Sequence, residues 1–315
     1  MPDPFVHLQV ASGYSLQYGA SHPHVLVERA AEQEMDTLAL TDRDGTYGAV
    51  KFAKACLQAG IRPVLGVSLA YRLGGPGPAR TRTPARGGAF RDLPAERGGL
   101  PRATFLASAD THGGRAGWAA VCRLVSATHL AGERGDPVLD LDLLPDQVLE
   151  ALGCGDLMVL LGPASAVGVA AARRRDDLAL AALEPWRQLV PRSHLVVELV
   201  SHRLPGGGSA HGGGAGWGPG TTPHAARMAQ IARRAGLTAV LSNAVRYADR
   251  RDAVTVDVLD AARRLVALDL RHLDRRNAEG FLKSGKQMHE IAEQICRAGG
   301  LGERDATRLL ADTRK

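Results

Sequence analysis

Short β-prone runs alternate with amphipathic helical stretches along most of the 315 residues. That rhythm restricts the chain to βαβ units on a largely parallel sheet. Residues 5–10 alternate as a strand does. Ser21 and Pro23 open a helix whose apolar stripe is Val25, Leu26, Ala30 and Ala31. Residues 37–41 read as a short buried strand, 48–59 as a helix stopped by Gly60, and 62–71 as a third strand. Further strands are predicted over 104–107, 156–161, 195–200 and 238–242. Helices are predicted over 118–130, 179–190, 224–236, 252–266, 287–297 and 304–312. About seven strand–helix units of this kind fit one closed parallel barrel better than two separate domains.

Two stretches break the rhythm. Residues 74–101 are rich in Gly, Pro and Arg and carry Arg80, Arg82, Arg86, Arg91 and Arg97, which reads as a mobile inserted loop. Residues 206–220 hold nine glycines in fifteen positions, with His211 and Trp217 among them. They lack the lysine of a P-loop and the strand–helix context of a dinucleotide loop, so they read as a flexible linker.

Composition excludes several classes. The chain is 45% hydrophobic and 23% charged, which permits a sizeable core. No apolar run is long enough to span a membrane, and residues 1–10 lack the pattern of a signal peptide. Cys56, Cys122, Cys154 and Cys296 are far apart and form no C-x-x-C pair, so neither a disulfide framework nor a zinc knuckle is expected. A cytoplasmic protein is the expectation. The net charge of +6 comes almost wholly from arginine, lysine occurring only at 51, 54, 283, 286 and 315. Such a bias suits a phosphate-binding face, and it also accompanies the composition of a GC-rich genome.

In a parallel barrel the chemistry sits just beyond the C-terminal ends of the strands. There the sequence runs His7-Leu8-Gln9-Val10-Ala11-Ser12-Gly13-Tyr14-Ser15, then Ala39-Leu40-Thr41-Asp42-Arg43, then Ala59-Gly60-Ile61-Arg62-Pro63-Val64-Leu65-Gly66. These three segments resemble successive motifs of the PHP (polymerase and histidinol phosphatase) domain. Cys122-Arg123-Leu124-Val125-Ser126 and Phe281-Leu282-Lys283-Ser284 resemble segments of bacterial DNA polymerase III alpha-type chains. Gly19-Ala20-Ser21-His22-Pro23 is similar to the error-prone branch. The resemblance implies a distorted (β/α)7 TIM-like barrel over residues 1–285, interrupted at about 74–101 and 205–221. It also implies a helical segment over 286–315 resembling the junction to a polymerase palm.

The same resemblance implies a site for zinc, manganese or iron at the strand ends, and the residue types here depart from it. The two histidines of the first motif fall on Gln9 and Ala11. Asp42 keeps its place, but the histidine beside it is Arg43. The glutamate falls on Ser68, a histidine on Arg102 and the cysteine on Pro163. In the last motif Asn243 remains, while the aspartate is Ala244 and the histidine Arg246. His7 and His202 stay near the cleft, with Glu198 read as a structural strand residue. A guanidinium cannot ligate a metal, and its fixed charge repels one. The expectation is therefore no bound cofactor, with Arg43 and Arg246 either pairing with Asp42, the favoured reading, or gripping a phosphate.

Three functional classes stay open. One is a non-catalytic domain that braces a polymerase palm or docks replication and repair subunits. The second is an active phosphoesterase or 3′–5′ exonuclease. The third is an arginine-rich module that binds nucleic acid. No membrane partner is expected. The palm aspartates that such polymerases need fall outside these residues, which suits a truncated, split or free-standing form.

Overall fold

Thr37-Leu-Ala-Leu-Thr is buried on both faces, as a strand inside a covered parallel sheet must be. The computed structural model describes residues 5–72, 99–108, 114–131, 137–204, 218–269 and 275–315. After helix α1 (Pro23–Glu32), this segment forms β1 (Thr37–Arg43), and α2 (Ala49–Ala59) returns the chain to the parallel neighbour β2 (Arg62–Arg72). Gly60 ends α2 in the left-handed conformation at φ 70°, which a glycine adopts without the Cβ clash of other residues.

The next strand, β3 (Arg102–Ala107), departs from the predicted parallel pattern. It runs antiparallel to β2, with Gly66 opposite Leu106, and antiparallel to β5 (Leu157–Leu161) on its other side. The Tyr71 N–H donates to the Pro101 carbonyl, so the chain comes back alongside the strand it has just left. An antiparallel return needs no crossover helix. Between β3 and β5 lie α3 (Arg115–Ala131), the two-residue strand β4 (Leu139–Asp140) beside β2, and α4 (Asp146–Gly153).

Beyond β5 come α5 (Ala166–Ala172), α6 (Asp176–Ala181) and α7 (Glu184–Leu189). The single helix predicted over 179–190 is thus two short ones, with Pro185 in the first turn of the second. β6 (Leu195–Leu204) is parallel to β5, and β7 (Gly220–Thr221) lies beside it. α8 (Thr222–Ala235) then leads to β8 (Thr238–Ser242), parallel to β6. α9 (Ala253–Arg264), α10 (Gly285–Ala298) and α11 (Glu303–Arg314) complete the chain. The Thr313 hydroxyl accepts from the Leu241 N–H, tying α11 to β8.

Residues 5–11 close the curved sheet. On one side the N–H groups of Ala39 and Thr41 donate to the carbonyls of His7 and Val10. On the other, Val245 N–H donates to Gln9 and Ala11 N–H donates to Val245. Inside the ring Val6, Leu8, Ala39, Leu106, Leu160, Val196 and Val240 pack together. A larger outer core lies beneath the helices, where Trp186 meets Tyr71 edge-on at 5.0 Å. Among the described residues no helix is long and apolar enough to cross a membrane.

The predicted insertion at 74–101 falls mostly outside the described residues, as does 205–217 of the glycine-rich stretch.

Candidate functional site

The strand ends surround one cleft of about 310 Å³. Of the residues singled out from the sequence, Gln9, Ala11, Arg43, Ser68, Arg102, Pro163, His202, Ala244 and Arg246 line it. β3 brings its first residue rather than its last to this end, because it runs against its neighbours. That places Arg102 opposite Ala70 at the rim.

His7, Asp42 and Asn243 are not in the lining. Val6 and Leu8 face the barrel interior while Gln9 and Ala11 face the cleft, so the side-chain alternation slips by one residue between Leu8 and Gln9. His7 is left on the opposite face, where its Nε2 donates to the Lys283 carbonyl at 2.8 Å and its ring meets Phe5 edge-on. Asn243 donates through its amide to the carbonyls of Glu279 and Phe281. Its oxygen accepts from the buried Lys283 Nζ at 3.3 Å.

Asp42 lies behind the cleft and does not make the expected ion pair. Its carboxylate accepts from the Ser12 N–H at 2.7 Å, the Ser12 hydroxyl at 3.0 Å and the Ser15 hydroxyl at 2.8 Å. Burial raises its pKa, and these hydrogen bonds only partly oppose the rise. Gly48 is required beside it, since a Cβ there would stand 2.7 Å from a carboxylate oxygen. The serines of the first motif thus cradle the aspartate of the second.

The arginines have other partners. Arg246 grips Asp260 on α9 through both oxygens, at 2.6 and 3.2 Å, and donates to the Tyr18 carbonyl. Arg263 shares the same Asp260 at 2.9 Å. Burial alone would raise the Asp260 pKa, but the two guanidiniums more than offset it and the net shift is downward. Arg102 pairs with Asp44 at 2.7 Å and donates to the Ser68 carbonyl. The Tyr18 ring gathers Arg246 at 4.0 Å, Arg43 at 4.3 Å and Arg263 at 5.7 Å from its centroid. Sequence reasoning missed Tyr18 and Asp260. The available signal was Asp257 and Asp260 on the apolar stripe of a helix, next to Val256 and Ala261.

Two titratable groups reach the cleft from β6. Glu198 is buried, and desolvation pushes its pKa up to about 7. Its Oε1 has no hydrogen-bond partner, and a Cβ on Gly162 would stand 2.1 Å from its other oxygen. His202 donates from Nε2 to the Asn243 carbonyl at 2.8 Å, and burial brings its pKa down to about 4. It is therefore a neutral imidazole near pH 7.

These donors do not fit a trinuclear metal centre, which requires several carboxylates and imidazoles converging on each ion. Among the described residues no three His, Cys, Asp or Glu side chains come together in that way.

A PHP domain match extends over residues 7–202. The chain belongs to the PHP domain family. The "Error-prone DNA polymerase" of Mycobacterium bovis is 32% identical over 96% of this chain, which spans 25% of that protein. The "DNA polymerase III subunit alpha" of Saccharopolyspora erythraea is 24% identical over 98% of the chain and 24% of its own length. The chain thus spans about a quarter of these relatives. Among solved structures, a "putative metal-dependent phosphoesterase" from Bifidobacterium adolescentis superposes with a TM-score of 0.41 at 13% identity. That comparison covers 76% of this chain and 86% of the other.

Proposed function

We propose that this chain is a non-catalytic PHP barrel of an error-prone polymerase-type protein, acting as a structural or subunit-docking domain. The observation that supports this is the substitution of the strand-end ligands by groups that cannot hold a metal. Gln9, Ala11, Ser68, Pro163 and Ala244 offer no metal-binding charge, and Arg43, Arg102 and Arg246 carry the wrong one. Hydrolysis of a phosphodiester by a metal-activated water needs the opposite arrangement.

The three arginines suggest how the barrel mouth keeps its shape. Arg246 and Asp260 join the β8 end to α9, Arg102 and Asp44 join β3 to the β1 end, and Tyr18 lies between Arg43 and Arg246. A mouth tied by ion pairs is a rigid base for a neighbouring palm or subunit. Domains that share this similarity in longer relatives make a polymerase component the natural partner class.

The test is hydrolysis of bis-p-nitrophenyl phosphate and of a 3′-labelled oligonucleotide, with Mn²⁺, Zn²⁺ or Fe²⁺ supplied in turn. No turnover above a heat-killed control is expected. Metal-dependent turnover that disappears in Glu198→Gln and His202→Ala would refute the reading in favour of a phosphoesterase.

A further inference from the structure

On the outside of the barrel, α2 and α3 flank a groove beside β2. α2 precedes β2 and α3 follows β3, and the antiparallel return between those strands needs no crossover helix to cover them. The groove has a volume of about 580 Å³, with Val50, Ala53 and Leu57 of α2 along one side, Leu65 of β2 on the floor and Trp118 of α3 opposite. Val50 is 80% exposed and Leu57 75%, and the two lie seven residues apart on one face of the helix. α2 already buries Phe52 and Cys56 against the barrel. It therefore carries a second apolar face, where a helix that only covers a sheet turns polar residues to water. Apolar surface of this kind on a folded domain marks a contact site.

The charges on the two helices have one sign. α2 carries Lys51 and Lys54, α3 carries Arg115 and Arg123, and all four are exposed. Neither helix contains an aspartate or a glutamate. Lys54 borders the groove itself, and Arg115 lies one turn before Trp118. Lys51 rests over the Tyr14 ring at 5.2 Å. A surface that complements this one is apolar along its centre and negative beside it. An amphipathic helix laid in a groove between two others presents such a surface, with anchors at i, i+3, i+4 and i+7. A phosphate backbone does not, because it would set charge over the carbon of Leu57, Leu65 and Trp118.

We propose that this groove docks an acidic amphipathic helix of a partner protein, with its apolar stripe on Val50, Leu57, Leu65 and Trp118 and its carboxylates towards Lys54 and Arg115. The inference deepens the docking reading above and rests on it.

The experiment titrates the whole chain into two labelled synthetic peptides of about 18 residues, roughly five helical turns. Both carry one stripe of leucines at helical spacing; one has glutamates beside it and the other lysines. Fluorescence anisotropy should show saturable binding of the glutamate peptide, and binding of the lysine peptide about tenfold weaker. Binding should shift Trp118 emission to the blue, and Trp118→Phe should remove that shift. Val50→Glu and Leu57→Glu should each weaken the glutamate peptide by about tenfold, the loss expected when one apolar side chain no longer packs. Lys54→Glu should weaken it by about threefold and strengthen the lysine peptide. Arg308→Gln, on the exposed face of α11, should change neither. Circular dichroism verifies that each variant is folded. No saturable binding of the glutamate peptide up to about 1 mM, equal binding of the two peptides, or full binding in both Val50→Glu and Leu57→Glu overturns the groove as a docking site. Displacement of the peptide by oligothymidine assigns the surface to nucleic acid and overturns it as well. Each of these results leaves the non-catalytic reading standing, since that reading fails on metal-dependent hydrolysis instead.

Discussion

Arg246 clasps Asp260 through both carboxylate oxygens, and that aspartate is fully buried on α9. The arginine stands where the family resemblance leads one to expect a histidine ligand. A buried pair loses much of its Coulomb gain to desolvation, but removing one member leaves a charge without compensation. Asp260→Asn should therefore lower unfolding free energy by about 3–5 kcal/mol. Urea denaturation checks this. A loss within the range of an exposed ion pair, below about 1 kcal/mol, would show that the pair does not hold the mouth together.

Asp42→Ala should destabilise as well, by a different route. It orphans the Ser12 N–H and the hydroxyls of Ser12 and Ser15, each of which costs about 1–3 kcal/mol when left buried and unbonded. A double-mutant cycle separates this from an ion-pair role. Asp42→Ala and Ser15→Ala should couple, whereas Asp42→Ala and Arg43→Met should be additive. Strong coupling to Arg43 would restore the ion pair expected from the sequence.

Glu198 gives the protein a pH dependence of defined sign. Its pKa rises on folding from an ordinary 4.5 to about 7, so the folded state holds the proton more tightly. Stability from this group is fully present below pH 4.5 and is lost as pH rises through 7. The difference amounts to about 3 kcal/mol by pH 8, at roughly 1.4 kcal/mol per pH unit. Glu198→Gln should remove this slope and be the more stable form at pH 8. Chemical denaturation of both proteins at pH 5 and pH 8 reads the sign directly, and an unchanged slope would refute the assignment.

Much of the barrel was legible because a buried strand and an amphipathic helix carry different hydrophobic periods. Residues 37–41, 195–200 and 238–242 fall within observed strands for that reason. Strand direction has no such period, so nothing in Thr104 to Ala107 marks β3 as antiparallel. Of the twelve site positions singled out from the sequence, nine meet in one cleft, and His7, Asp42 and Asn243 do not. Pairings within it were not legible. Asp42 and Arg43 are adjacent in sequence, but successive strand side chains point to opposite faces, which sends Asp42 to its serines and Arg43 to Tyr18. Asp260 lies fourteen residues from Arg246 on a different element, and only the packing of α9 brings them together.

The claim that arginine ion pairs rather than metal hold the barrel mouth is tested most directly by melting the unmodified chain in EDTA and in excess Mn²⁺ or Zn²⁺. A ligand that binds the native state at a hundred times its dissociation constant adds about 2.7 kcal/mol, enough to raise Tm by several degrees. The account predicts superimposable melts and no stoichiometric metal by elemental analysis after gel filtration. A rise of several degrees with at least one equivalent of retained metal would contradict it.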